Sequence, residues 1–147
     1  MRFYFFRHSI WEPAAGKALS QAGLMLARQV GEQHLHDRGI TRVIVSKEER
    51  TRQTALAMLE GAGQSLSADC FIVNELCERS QAWDVKADLL SLGFSEHDRI
   101  LAIGHGCSLE MLLEHLTKRF FPKLKECDCA IVDCVDGKFT LVEEIRR

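Results

Sequence analysis

The sequence predicts an α/β protein: a three-layer α/β/α sandwich around a mostly parallel central sheet with an antiparallel edge strand. Three observations carry this expectation. The first is the run Arg-Phe-Tyr-Phe-Phe-Arg from Arg2, which puts Phe3 and Phe5 on one side of a strand and Tyr4 and Phe6 on the other. A strand apolar on both faces is covered on both faces, as in parallel α/β sheets. The second is Arg99 to Ile103, another apolar run, which delivers Gly104-His105-Gly106. The third is that segments of helical period alternate with these runs until Asp136-Gly137, a strong hairpin signal, near the C-terminus.

The elements follow in order. Ile10 to Leu19, with Trp11, Pro13 and Gly16, reads as a loop. Ser20 is an N-cap for a helix from Gln21 to about Arg38, with Leu24, Ala27, Val30 and Leu35 as its stripe and Gly39 as its stop. His34 and His36 lie two apart, so they do not share a helix face and read as solvated. Val43-Ile44-Val45 is a second buried strand. Ser46 to Glu49 matches the S-x-x-E capping box, which predicts a helix starting just after that strand and running to Gly61 or Gly63. Phe71 to Val73 is a short third strand, residues 74–82 a polar loop, and Trp83 to Leu92 a helix closed by Gly93. After Gly106, the positions Leu109, Leu112, Leu113, Leu116 and Phe120 fit the helical template, with Pro122 just beyond. Ala130 to Val135 and Lys138 to Val142 are the two hairpin strands.

Bulk properties narrow the function. With 147 residues, 46% of them hydrophobic, and no linker or repeat, the chain is expected to form one domain, 1–147, with a sizeable core. A net charge of -2 gives no global field toward nucleic acid or a membrane, although a local anion pocket needs only a few placed cations. No apolar run is long enough to span a bilayer. The six cysteines include no C-x-x-C pair, so neither zinc nor another metal is expected. The N-terminus runs straight into the first strand, with an apolar stretch too short for a targeting segment. Reduced, mostly buried thiols in a cytoplasmic protein are the expectation.

The chemistry-bearing residues gather at strand ends. Arg7 and His8 close the first strand, Arg50 follows the second, and His105 closes the fourth. Right-handed crossovers keep the carboxyl ends of parallel strands on one edge, where ligands of open α/β sheets bind. Guanidinium groups match phosphoryl oxygens with forked, charge-assisted hydrogen bonds. Imidazole is an uncharged nucleophile near neutral pH and forms covalent intermediates. Phosphoryl transfer needs chiefly positioning and electrostatic stabilisation. Arg50 and Arg52, early in a helix, point to a bound anion; pairing with Glu48 or Glu49 accounts for them equally well. Other phosphate and hydrolase signatures are absent: no G-x-x-x-x-G-K-[ST], no G-x-G-x-x-G, no serine elbow.

These residues resemble the histidine phosphatase superfamily, which includes the cofactor-dependent phosphoglycerate mutases. Its Arg-His-Gly strand end is matched by Arg7-His8-Ser9, and its Leu-Thr-x-x-Gly by Leu19-Ser20-Gln21-Ala22-Gly23. Its Ser-Pro-x-x-Arg-x-x-Gln-Thr-Ala is similar to Ser46, Arg50, Gln53, Thr54 and Ala55, and its Gly-His-Gly to Gly104-His105-Gly106. Ser9 replaces the usual glycine, and Lys47 the common proline. The resemblance implies that His8 becomes phosphorylated and that Arg7, Arg50 and His105 bind the phosphoryl oxygens. Ser9, Ser46, Lys47 and Gly106 would line the substrate site, with no cofactor. Glu78, in Leu76-Cys77-Glu78-Arg79, is preferred as leaving-group acid over Glu75, in Asn74-Glu75-Leu76.

The chain has little room for the long capping insertions of the mutases. In size and layout it is similar to the small phosphohistidine phosphatases of the SixA type. The expected function is a metal-independent phosphatase whose partner is a phosphohistidine protein or a phosphorylated small molecule. The alternatives are a small-molecule phosphomonoesterase and a non-catalytic phospho-ligand binding domain. The oligomeric state is left open.

Overall fold

The computed structural model describes residues 1–74 and 82–147, the side chains of 82–84 apart. A six-stranded sheet is built from β1 (Arg2–Arg7), β4 (Arg42–Val45), β5 (Phe71–Val73), β6 (Arg99–Gly104), β7 (Cys129–Val135) and β8 (Lys138–Ile145). The strand order is β5-β4-β6-β1-β7-β8. The first four run parallel, and the β7–β8 hairpin completes the sheet with antiparallel pairing. Asp136 and Gly137 form its turn at φ 51° and 75°, the left-handed pair that an Asp-Gly hairpin requires.

Helices cover both faces, and β1 shows why. Phe3 and Phe5, ring centroids 5.3 Å apart, join Ile100 and Ala102 in a core closed by Leu109, Leu112, Leu113 and Leu116 of α4 (Gly106–Thr117) and by Val85 and Leu89 of α3 (Ala82–Ser91). Tyr4 and Phe6 join Leu101 and Ile103 in a second core against α1 (Gln21–His34) and α2 (Glu49–Gly61). The alternation read along Phe3 to Phe6 thus separates the two outer layers.

Helices α1 and α2 touch backbone to backbone. A Cβ on Gly31 would lie 1.9 Å from the Met58 carbonyl oxygen, and one on Gly61 would lie 1.9 Å from that of Arg28. Only glycine permits this approach. Among the described residues no helix is long and apolar enough to cross a membrane.

Four details differ from the sequence reading. Helix α1 ends at His34, with the buried Leu35 as its C-cap, because a turn from Leu35 to Arg38 intervenes before Gly39 at φ 62°. The segment read as a loop holds two short antiparallel strands, β2 (Trp11–Glu12) and β3 (Ala18–Leu19). Phe120 is 82% exposed: Lys118 enters the left-handed region at φ 59°, ends α4 and resets the phase, so Phe121 is buried instead. Ser46 is not a helix cap. Glu48 is the N-cap of α2, and Ser46 has other partners.

Candidate active site

The register of β1 on β6 sets the centre. Arg7 is paired with Gly104, so the next residues, His8 and His105, leave adjacent strands side by side. Their rings lie 5.2 Å apart at 61°. The backbone N–H of His8 donates to the Gly104 carbonyl (3.0 Å), which holds the two strand ends together beyond the ladder.

His8 is buried, and its Nδ1 lies 2.8 Å from the Ser9 carbonyl oxygen. A carbonyl only accepts, so Nδ1 carries the proton and the lone pair resides on Nε2. Burial, reinforced by His105, Arg50 and Arg7, lowers the His8 pKa to about 4 despite the Ser9 bond, leaving the ring neutral at pH 7. Ser9 fixes this conformation through its N–H, which donates to Thr54 Oγ1 (2.9 Å), and through its Oγ, which donates to the Gly23 carbonyl (2.7 Å). Gly23 must be bare, since a Cβ there would sit 2.0 Å from the Ile10 carbonyl oxygen.

His105 is the N-cap of α4. Arg50 Nη2 lies 3.2 Å from its Nδ1, and Ser46 Oγ lies 3.1 Å from its Nε2. A guanidinium only donates, so Nδ1 accepts and Nε2 carries the proton toward Ser46. Burial and then Arg50 lower the His105 pKa to about 4, against an opposing effect of Glu48. Ser46 Oγ also accepts the Glu48 N–H (3.1 Å) and meets Thr51 Oγ1 (3.1 Å). The expected capping serine therefore anchors the second histidine.

Arg50 occupies the first turn of α2 with its side chain 14% exposed. Its Nη1 pairs with Glu48 Oε2 at 3.1 Å, and its Cζ lies 5.2 Å from the centroid of the Trp11 ring. Arg50 thus makes the pairing with Glu48 that the sequence offered, and it also faces His105. Arg52 pairs with Glu49 at 3.4 Å on the exposed side of the helix and takes no part.

Arg7 Nη1 donates to the Leu124 carbonyl (2.6 Å), and Nη2 lies 3.3 Å from Glu126 Oε1. Its guanidinium is close enough to Gly106 that a Cβ there would lie 3.4 Å from Cζ and Nε. The Nε atoms of Arg7 and Arg50 are both buried without a hydrogen-bond partner among the described residues. A buried, unmatched N–H on a cation is costly. Two such groups therefore lie close to the paired imidazoles.

The structure thus brings Arg7, His8, Ser9, Ser46, Arg50, His105 and Gly106 to one edge of the sheet. Lys47 is exposed on the turn after β4. Glu75 and Glu78, the alternative acids, lie outside the described residues. The sequence reading missed Trp11 and Glu126. It quoted Gln53 and Thr54 only for resemblance, and the geometry supplies their physics. Gln53 Oε1 accepts the Leu19 N–H (2.7 Å), and Thr54 Oγ1 donates to the Arg50 carbonyl (2.7 Å).

No family model and no curated protein matches the sequence. Solved structures do match the fold. The protein histidine phosphatase SixA, in complex with tungstate, superposes with a TM-score of 0.85 at 21% identity, covering 99% of this chain and 97% of that one. The alpha-ribazole phosphatase from Shigella flexneri gives 0.71 at 16% identity, over 99% and 96%. A mycobacterial glucosyl-3-phosphoglycerate phosphatase gives 0.71 at 15%, over 99% of each chain. The arrangement of strands and helices that holds His8 beside His105 is therefore the histidine phosphatase fold.

Proposed function

We propose that the protein is a phosphatase that works through a covalent phosphohistidine on His8. The observation that carries this reading is the Nδ1–H bond from His8 to the Ser9 carbonyl. It leaves a neutral imidazole with its Nε2 lone pair in a cup made by two arginines and a second histidine. Nε2 attacks phosphorus, and the bond from phosphorus to the leaving group breaks, its electron pair departing with that group. The Ser9 carbonyl stabilises the positive charge then placed on the ring. Arg7 and Arg50 offer the phosphoryl oxygens N–H groups already oriented by Leu124, Glu126 and Glu48. Water then attacks phosphorus, the P–N bond breaks, its electrons return to Nε2, and inorganic phosphate leaves. The proton for the leaving group is assigned to Glu78, with Glu75 the alternative.

The substrate we infer is phosphohistidine displayed on a partner protein. An imidazole leaving group needs less help from an acid than an alkoxide does. The likeness to SixA, named a protein histidine phosphatase, supports the same choice. The second reading, a small-molecule phosphomonoesterase, is supported by the likeness to alpha-ribazole phosphatase.

Turnover of an aryl phosphate, lost in His8→Ala, together with mass-spectrometric capture of an acid-labile phosphate on His8, tests the reaction. A phosphohistidine protein compared with sugar and nucleotide phosphates tests the substrate. Equal inactivity of wild type and His8→Ala with equal phosphate binding would establish a binding domain instead.

A further inference from the structure

We propose that Trp11 is a positioning residue for Arg50, and through it sets how tightly the cup holds a phosphoryl oxyanion; this rests on the phosphate-binding reading above. The Arg50 guanidinium has three described partners: Glu48 Oε2 at 3.1 Å, His105 Nδ1 at 3.2 Å, and the Trp11 ring, 5.2 Å from Cζ. The first two use N–H groups at the edge of the guanidinium, and an arriving oxyanion competes for those groups. The indole uses the cation's charge rather than an N–H, so its contact survives when the edge is handed over to a ligand.

The ring is also held at a defined place relative to Arg50. Trp11 pairs with Leu19, whose N–H donates to Gln53 Oε1 at 2.7 Å, and Gln53 stands on the same helix as Arg50. The Ser20 N–H donates to the Ile10 carbonyl (3.0 Å), closing the base of the same small hairpin. Indole and guanidinium thus share one tether. Trp11 is only half-buried, so its ring forms part of the surface beside the cup.

The test uses the full chain and inorganic phosphate. The sequence holds two tryptophans, so in Trp83→Phe the emission comes from Trp11 alone. Phosphate is expected to shift that emission with the midpoint that calorimetry gives for binding. Trp11→Leu should weaken phosphate binding about two- to tenfold and raise KM for an aryl phosphate by the same factor, with kcat changed less. Trp11→Phe, which keeps an aromatic face, should recover most of the loss; a merely structural role would not show this rescue together with the emission shift. Phosphate affinity in Trp11→Leu equal to wild type, or Trp11 emission indifferent to saturating phosphate, would overturn the proposal. If Trp11 responds to phosphate but wild type turns over no phosphoryl compound, the phosphatase reading fails and this one stands. If hydrolysis is intact and Trp11 is indifferent, the reverse holds. No phosphate binding, by calorimetry and by Trp11 emission alike, would overturn this proposal and leave the phosphatase reading to be decided by turnover.

Discussion

The depressed pKa of His8 makes stability depend on pH with a sign and size that follow from the site. In the unfolded chain the ring titrates near 6.5; in the native protein burial holds it to about 4. Between those values the unfolded chain binds a proton that the native one refuses, so stability is full above pH 6.5 and falls as the pH drops toward 4. His8 is 4% exposed, so solvent screening takes little from this effect. One proton changes the unfolding free energy by about 1.4 kcal/mol per pH unit, and the interval from 7 to 4 therefore costs about 3 kcal/mol at this residue.

Burial also lowers the pKa of His105 to about 4, so the decisive quantity is a difference between variants. His8→Asn keeps an N–H donor near Nδ1 and removes the titration. Urea unfolding of both proteins from pH 7 to 4, in acetate and MES so that no phosphate occupies the cup, should show the wild type losing about 3 kcal/mol more than the variant. Two stability curves that run parallel across the interval would refute the claim that His8 is held neutral by its surroundings.

Other expectations follow from the same geometry. The acid limb of kcat/KM on an aryl phosphate, once the substrate's own ionisation is divided out, should fall near pH 4 rather than 6.5, because that ratio reports the free enzyme. Nδ1 of His105 accepts from Arg50, so an oxyanion that takes the place of Arg50 at Nδ1 requires a proton there. Calorimetry of sulfate binding at pH 6 in two buffers of different ionisation heat should show proton uptake, and zero uptake would refute protonation of the ring on binding. Arg50→Ala should lower kcat/KM by about a hundredfold or more, with thermal unfolding little changed. Gly31→Ala should destabilise by about 3 kcal/mol or more in urea unfolding, since its Cβ would fall 1.9 Å from the Met58 carbonyl oxygen and neither helix backbone has room to yield.

The sheet and the meeting of the two histidines were legible because they depend on short-range signals. Phe3 to Phe6 alternate across a strand, and two parallel strands ending in histidine deliver both rings to one edge. What escaped depends on distant partners. Ser46 and Glu49 satisfy the local pattern of a capping box, yet Thr51 and His105 compete for the same hydroxyl and the helix starts later. Phe120 satisfies the helical period, and nothing local announces that Lys118 turns left-handed one residue after α4. Trp11 and Glu126 reach the two arginines from a short hairpin and from the segment before β7, with no spacing rule that ties them to Arg50 or Arg7.

The bare-backbone contact of α1 with α2 has a consequence for the guest as well as for the scaffold. Helices that meet through side chains slide by small rotamer changes, the shear motion of many enzymes. At Gly31 and Gly61 no such cushion exists, so the helix that carries Arg50, Thr51 and Thr54 is locked against its neighbour. On the phosphatase reading proposed above, fitting a larger or smaller tetrahedral anion would be left to the arginine side chains, and the cup would gauge oxyanion size against a wall that does not give.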